Sequence, residues 1–139
     1  MNYKIIGKYI KKLNFNIPNP KTFFLLSKDI ENYKINIDIN SKQAKENIIE
    51  VLISLSLSPS NKDSETIDTI IIYSTILEIV GNNISKKEME KIILIEIPSK
   101  IYPELRKIFI FLFENSGFKN VKINETVDFQ KLYSMRKVQ

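Results

Sequence analysis

The sequence predicts an α+β protein, with a four-stranded antiparallel sheet first and two longer helices and a short C-terminal helix packed on one side of it. In the first half of the chain apolar and polar residues alternate with a period of two, which marks strands with one buried face. After Asn83 the spacing lengthens to that of an amphipathic helix. The length of 139 residues fits a single domain over 1–139, since domains cluster near roughly 100 to 150 residues and smaller pieces bury too little surface.

The first strand is expected over 3–17, with Tyr3, Ile5, Tyr9, Leu13, Phe15 and Ile17 on one face and Gly7 at a bulge or bend. Pro18 and Pro20 end it, because proline has no N–H to give a ladder. The stretch 19–32 is expected to be a loop, although Phe23, Phe24, Leu25 and Leu26 make four apolar residues in a row. In the second strand, 33–40, Tyr33, Ile35, Ile37 and Ile39 alternate with Lys34, Asn36, Asp38 and Asn40. In the third, 46–58, Ile49, Val51, Ile53, Leu55 and Leu57 face away from Glu50, Ser54 and Ser56. A polar loop over 59–65 leads to a fourth strand over 66–80, closed by Gly81 and Asn82.

Ser85 is placed to cap a helix over 85–97, with Glu88 three residues on as in a capping box and Met89, Ile92, Ile93 and Glu96 or Ile97 forming its helical stripe. Pro98 is expected to break it, and Pro103 to open a second helix over 103–115 carrying Leu105, Ile108, Phe109 and Leu112. Positions 108–113 are apolar throughout, more than one sheet face can cover. Ile108, Phe109, Phe111 and Leu112 are therefore expected at an oligomer interface, with burial inside the chain as the plainer alternative. Gly117 ends that helix, 121–126 is extended or irregular, and Asp128 caps a last short helix over 128–135 with Phe129, Leu132 and Tyr133.

Composition narrows the function. There is no cysteine, hence no disulfide framework or thiolate zinc site, and no histidine, the commonest metal ligand and general acid or base near neutral pH. No catalytic residue, metal or cofactor is expected; Glu50, Glu78 and Tyr73 read as strand-face residues. No apolar run approaches the roughly 18 residues of a spanning helix, and 1–15 lacks the continuous stretch of a signal peptide, so a cytoplasmic protein without membrane insertion is expected. The net charge of +5 has two readings: a basic binding patch, or a chain rich in Ile, Lys and Asn from AT-rich codons. Lys8, Lys11 and Lys12 beside Tyr9 and Phe15 could serve a sheet that stacks single-stranded nucleic acid, but lysines occur in every segment, and no nucleic-acid partner is expected.

Three segments resemble the SecB family of protein-export chaperones. Tyr9-Ile10-Lys11-Lys12-Leu13-Asn14-Phe15-Asn16-Ile17-Pro18-Asn19-Pro20 is similar to Tyr-x-Lys-Asp-hydrophobic-Ser-Phe-Glu-x-Pro-Asn-x-Pro. Ile97-Pro98-Ser99-Lys100-Ile101-Tyr102-Pro103-Glu104-Leu105-Arg106 resembles Cys-Pro-x-x-hydrophobic-Phe-Pro-x-x-Arg. Gly117-Phe118, then Val127-Asp128-Phe129-Gln130-Lys131-Leu132-Tyr133, resembles the family's end. With the strands between, the similarity covers about 8–134.

The resemblance implies a dimer of dimers, a homotetramer that binds unfolded preproteins without ATP and hands them to the translocation ATPase SecA. It also implies that 19–32 is a crossover loop bordering the client groove together with the last helix, which makes Phe23, Phe24, Phe129, Leu132 and Tyr133 the client-binding candidates. Where the family offers acidic residues to SecA, this chain has Lys12, Asn16 and Ile70, and the family's glycine beside Tyr73 is replaced by Ser74 or Thr75. Either the partner carries complementary acidic groups, or this is a SecB-like chaperone serving other clients, such as an antitoxin.

Overall fold

The computed structural model describes residues 2–30, 33–59, 68–81, 83–118, 121 and 123–138. Four strands, β1 (Tyr3–Asn16), β2 (Tyr33–Lys45), β3 (Ile48–Pro59) and β4 (Asp68–Ile79), form one sheet in the order β1-β4-β3-β2, with every neighbouring pair antiparallel. β2, β3 and β4 are joined as a meander, and β1 lies on the far side of β4, so β1 and β2 are the two edges. Residues 60–67 and 82, which include most of the expected 59–65 loop, the first two positions expected for strand four and Asn82, lie outside the described residues, as does Lys122.

β1 departs from simple alternation. Its pairing with β4 shifts between Ile5 and Gly7 and again between Ile10 and Lys12, so two bulges each add one residue and reverse the facing of the residues after them. Tyr9 consequently does not share a face with Tyr3 and Ile5, as its spacing suggested; it lies opposite Ser74 on the other side of the sheet. The extra residue at the first bulge is Ile6, and Gly7 sits where a Cβ would meet Ile76 Cδ1 at 3.3 Å.

The segment after β1 contains a helix, α1 (Pro20–Asp29), where the sequence suggested a loop. Its signals were present: Asn19 Oδ1 accepts from the Thr22 N–H at 2.8 Å, Pro20 occupies the first turn, and Thr22, Leu26 and Ile30 are buried at intervals of four. β2 runs past its expected end to Lys45, and the turn into β3 passes through Asn47 at φ 66°.

Pro98 does not break the chain's longest helix. α2 (Lys86–Lys91), a π-helical turn (Ile92–Glu96) and α3 (Ile97–Asn115) run on without interruption, and Pro103 lies inside α3 rather than at its start. Ser85 Oγ caps the Glu88 N–H at 3.1 Å. At the other end Gly117, at φ +97°, lets the Phe118 N–H reach the Phe113 carbonyl at 3.0 Å and its own N–H reach Glu114 at 3.3 Å, a Schellman closure.

The helix lies across the sheet face made by Val51, Ile53, Leu55, Ile71 and Leu77, all fully buried. Opposite them it sets Ile97, Ile101, Leu105, Phe109 and Phe113, each 0–1% exposed. Burying side chains of this size stabilises by roughly 1.5–3 kcal/mol each. Phe113 is the hub of an aromatic cluster, with ring centroids 5.0 Å from Phe15, 5.1 Å from Phe109 and 5.7 Å from Phe118. Beyond it, Arg106 holds the Ile123 carbonyl at 3.1 Å and Tyr102 Oη the Asn124 carbonyl at 2.7 Å, which leads the chain back to α4 (Phe129–Val138).

Candidate functional site

The helix-facing residues of β2, Tyr33, Ile35, Ile37 and Ile39, are only half-buried, because α3 lies over the sheet's centre and leaves this edge uncovered. Three hollows lie along them, of about 300, 160 and 450 Å³. The first is walled by Tyr102, Val121, Ile123 and Val127, the second by Leu94, Phe129 and Leu132, and the third by Glu90, Ile93 and Tyr133. Ile37 joins the first to the second, and Ile39, Leu94 and Tyr133 join the second to the third, so they form one trough. From Tyr33 to Ser41 it spans roughly 26 Å at the rise of a strand.

β2 pairs on one side only, and among the described residues no backbone hydrogen bond reaches the other edge beyond Tyr33. Main-chain donors and acceptors therefore flank a trough that is apolar along Ile35, Ile37 and Ile39 and polar at its Glu90 end, an arrangement that can accept an extended peptide as an added strand.

The five client-binding candidates divide. Leu132, 46% exposed, opens onto the trough, and Phe129 and Tyr133 form its wall while being buried themselves. Phe129 packs 6.1 Å from the Tyr102 ring, and the Tyr133 hydroxyl donates to Glu90 at 2.9 Å. Phe23 and Phe24 are on α1, outside the residues lining these hollows: Phe23 packs against Phe118, ring centroids 5.0 Å apart, and Phe24 is 63% exposed. Sequence reasoning missed Ile35, Ile37, Ile39 and Leu94 as trough residues; the even alternation of β2 was visible, but its place at an open edge was not.

The three partner-docking candidates lie on the sheet's other face. Lys12 pairs with Ile72, Asn14 with Ile70 and Asn16 with Asp68, so Lys12, Ile70 and Asn16 fall within two residues of one another. Beside them Glu50 accepts from Tyr9 Oη at 2.5 Å, Ser74 Oγ at 2.7 Å and Lys11 Nζ at 3.0 Å. These contacts, the Tyr9 hydrogen bond first, hold its carboxyl well below the usual range, at about 2. Lys11 is thereby occupied, and Lys8 pairs with Glu104 at 2.8 Å, so two of the three lysines of a base-stacking surface are tied to carboxylates. Neither ion pair involves Lys12.

The expected oligomer interface needs correction at one position. Phe109 is fully buried within the chain, in the stripe that faces the sheet, and has no surface to offer a second subunit. Ile108 and Leu112 are half-buried against the core, and Phe111 is 61% exposed. The larger apolar exposure is on the edge strand β1, where Ile5, Ile6, Tyr9, Ile10 and Leu13 are all exposed, on both faces of the sheet because of the bulges. Among the described residues no helix is long and apolar enough to cross a membrane, and no group of three or more His, Cys, Asp or Glu could hold a metal ion.

A trough floored by isoleucines beside an open strand edge, on a sheet backed by one long helix, is suited to holding an extended chain segment, as a molecular chaperone does. The family model for preprotein translocase subunit SecB matches residues 1–139. The chain is 42% identical over 135 residues to the putative protein-export protein SecB of Pelagibacter ubique, covering 97% of this chain and 96% of that one. It is 24% identical over 133 residues to the protein-export protein SecB of Parvibaculum lavamentivorans, covering 96% and 77%. Among solved structures it is similar to a Mycobacterium tuberculosis SecB-like chaperone in complex with a ChAD peptide from the HigA1 antitoxin, with a TM-score of 0.66, 12% identity and coverage of 91% and 88%. The chain belongs to the SecB family.

Proposed function

We propose that this protein holds unfolded secretory precursors in the cytoplasm and passes them to SecA, using neither ATP nor a cofactor and performing no catalysis. The observation that carries this is the trough along β2, which joins main-chain groups that, beyond Tyr33, have no backbone partner at that edge among the described residues to a row of hollows floored by isoleucines. An unfolded client exposes the counterparts of both. Hydrophobic burial at roughly 25 cal/mol per Å² is non-directional, so one trough serves many sequences.

Assembly into a dimer of dimers supplies cover for the apolar surface of β1 and for Phe111. SecA docks on the opposite face of the sheet, at Lys12, Asn16 and Ile70, through acidic groups complementary to Lys12. A second reading has one observation in its favour: the mycobacterial relative of the fold is bound to an antitoxin peptide, and a chaperone with such a client has no need of the acidic positions missing here.

Sedimentation with and without a stoichiometric unfolded precursor, and without nucleotide, tests holding and assembly together. A tetramer that gains one precursor supports the proposal. A monodisperse monomer at micromolar concentration, or holding that requires ATP, refutes it; a tetramer that takes an antitoxin but no precursor selects the second reading.

A further inference from the structure

The buried stripe of the long helix has one irregular step. Phe113, Phe109, Leu105, Ile101 and Ile97 succeed one another every four residues, but the next core residue, Ile92 at 2% exposure, is five back. That step is the π-turn, closed by a hydrogen bond from the Ile97 N–H to the Ile92 carbonyl. A regular helix would put Ile93 in the core place instead and turn everything before it by one residue, about 100° and about 1.5 Å.

The core itself barely distinguishes the two registers, because residues 92, 93 and 95 are all isoleucine and residue 94 is leucine. The difference lies outside it. In the observed register Glu90 meets the Tyr133 hydroxyl, and Ile93 and Leu94 line the trough. In the regular register Lys91 takes the place of Glu90, Leu94 that of Ile93, and Ile95 that of Leu94. The wall stays apolar while its charged end changes sign.

Pro98 favours the observed register. It has no N–H, and in a regular helix its ring collides with the carbonyl four residues back, here Leu94, inside the turn that has widened. Proline alone is not sufficient: at Pro103 the stripe keeps its step of four, from Leu105 to Ile101. A step of five there would carry Lys100 into the place of Ile101, whereas before Pro98 it exchanges one isoleucine for another.

We propose that Pro98 is a positioning residue for the client groove: by holding the helix in its widened register it presents Glu90, rather than Lys91, at the end of the trough beside Tyr133, and so sets how that end discriminates between basic and acidic client flanks. The inference rests on the trough being the client groove. The exchange changes the charge at one point by two units, so its direction does not depend on the lysines nearby.

The test uses two labelled peptides with the same alternating apolar centre, one flanked at both ends by lysine and the other by glutamate, titrated at low salt. The ratio of their dissociation constants is compared between the parent, Pro98→Ala and Pro98→Val, the second filling the buried space while restoring the N–H. Both variants should shift the ratio toward the glutamate peptide, on the order of tenfold for gained and lost exposed charge pairs. Deleting Ile95 in the Pro98→Ala background should restore the parental ratio, since Ile92 then lies four before Ile97 and Glu90 returns to Tyr133. A second readout is the Tyr133→Phe and Glu90→Gln double-mutant cycle in urea, with coupling expected in the parent and lost in Pro98→Ala. An unchanged ratio with the coupling intact overturns the proposal. If the parent binds neither peptide, the groove reading has failed, and the coupling alone decides whether Pro98 sets the register.

Discussion

Replacing Phe109 and Phe111 separately by alanine distinguishes a core position from a surface one two residues away. Phe109 is fully buried between the sheet and Phe113, so Phe109→Ala removes its burial and leaves a cavity, at a cost of about 3–5 kcal/mol. A chain of 139 residues has a total stability of roughly 7–20 kcal/mol at typical values per residue, so this loss is a substantial part of it. Phe111 is 61% exposed, and Phe111→Ala should leave the subunit within about 0.5 kcal/mol of the parent. The proposed assembly would add stability that depends on concentration, so urea unfolding should be monitored at several protein concentrations for each variant. Phe109→Ala should lower the midpoint by a similar amount at all of them. Phe111→Ala should change only the concentration dependence, with sedimentation showing more of the smaller species. A Phe109→Ala protein that unfolds like the parent and differs only in assembly would refute the placement of this side chain in the subunit core.

Three further outcomes are expected from particular contacts. The Glu50 carboxyl is held at about 2 by Tyr9, Ser74 and Lys11, below its ordinary 4.5, so its contribution is present above about 4.5 and lost as pH falls toward 2; acid unfolding should show that dependence in the parent and lose it in Glu50→Gln. Gly117→Ala should destabilise by about 1–2 kcal/mol in thermal or urea unfolding, since φ is +97° and the new Cβ would lie 3.2 Å from the Phe23 ring. Lys12→Asp with Asn16→Glu should strengthen calorimetric binding to a SecA adapted to acidic chaperones, most at low salt, without changing aggregation suppression; tight binding by the unmodified protein would refute that placement of the docking site.

The sequence determined the class of fold and some of its helix ends, though not those expected at Pro98 and Pro103. Period-two alternation locates β2 and β3 because each buries one face, and the caps at Ser85 and Asp128 and the stop at Gly117 arise from backbone groups that must be satisfied locally. The three motif segments were enough to reach the family. Features set by distant parts of the chain were beyond the sequence. The bulges that turn Tyr9 to the other face depend on how β1 is registered against β4, nearly seventy residues away. The π-turn that absorbs Pro98 depends on which isoleucine the sheet accepts, and a run of apolar residues leaves that open. Within 108–113 every position is apolar, yet Phe109 is core and Phe111 is surface, because burial is decided by the groups that lie across from a side chain. The trough is the plainest case: Ile35, Ile37 and Ile39 have the alternation of an ordinary covered strand, and only the strand order, which puts β2 at an edge that the long helix walls without covering, makes them the floor of an open trough.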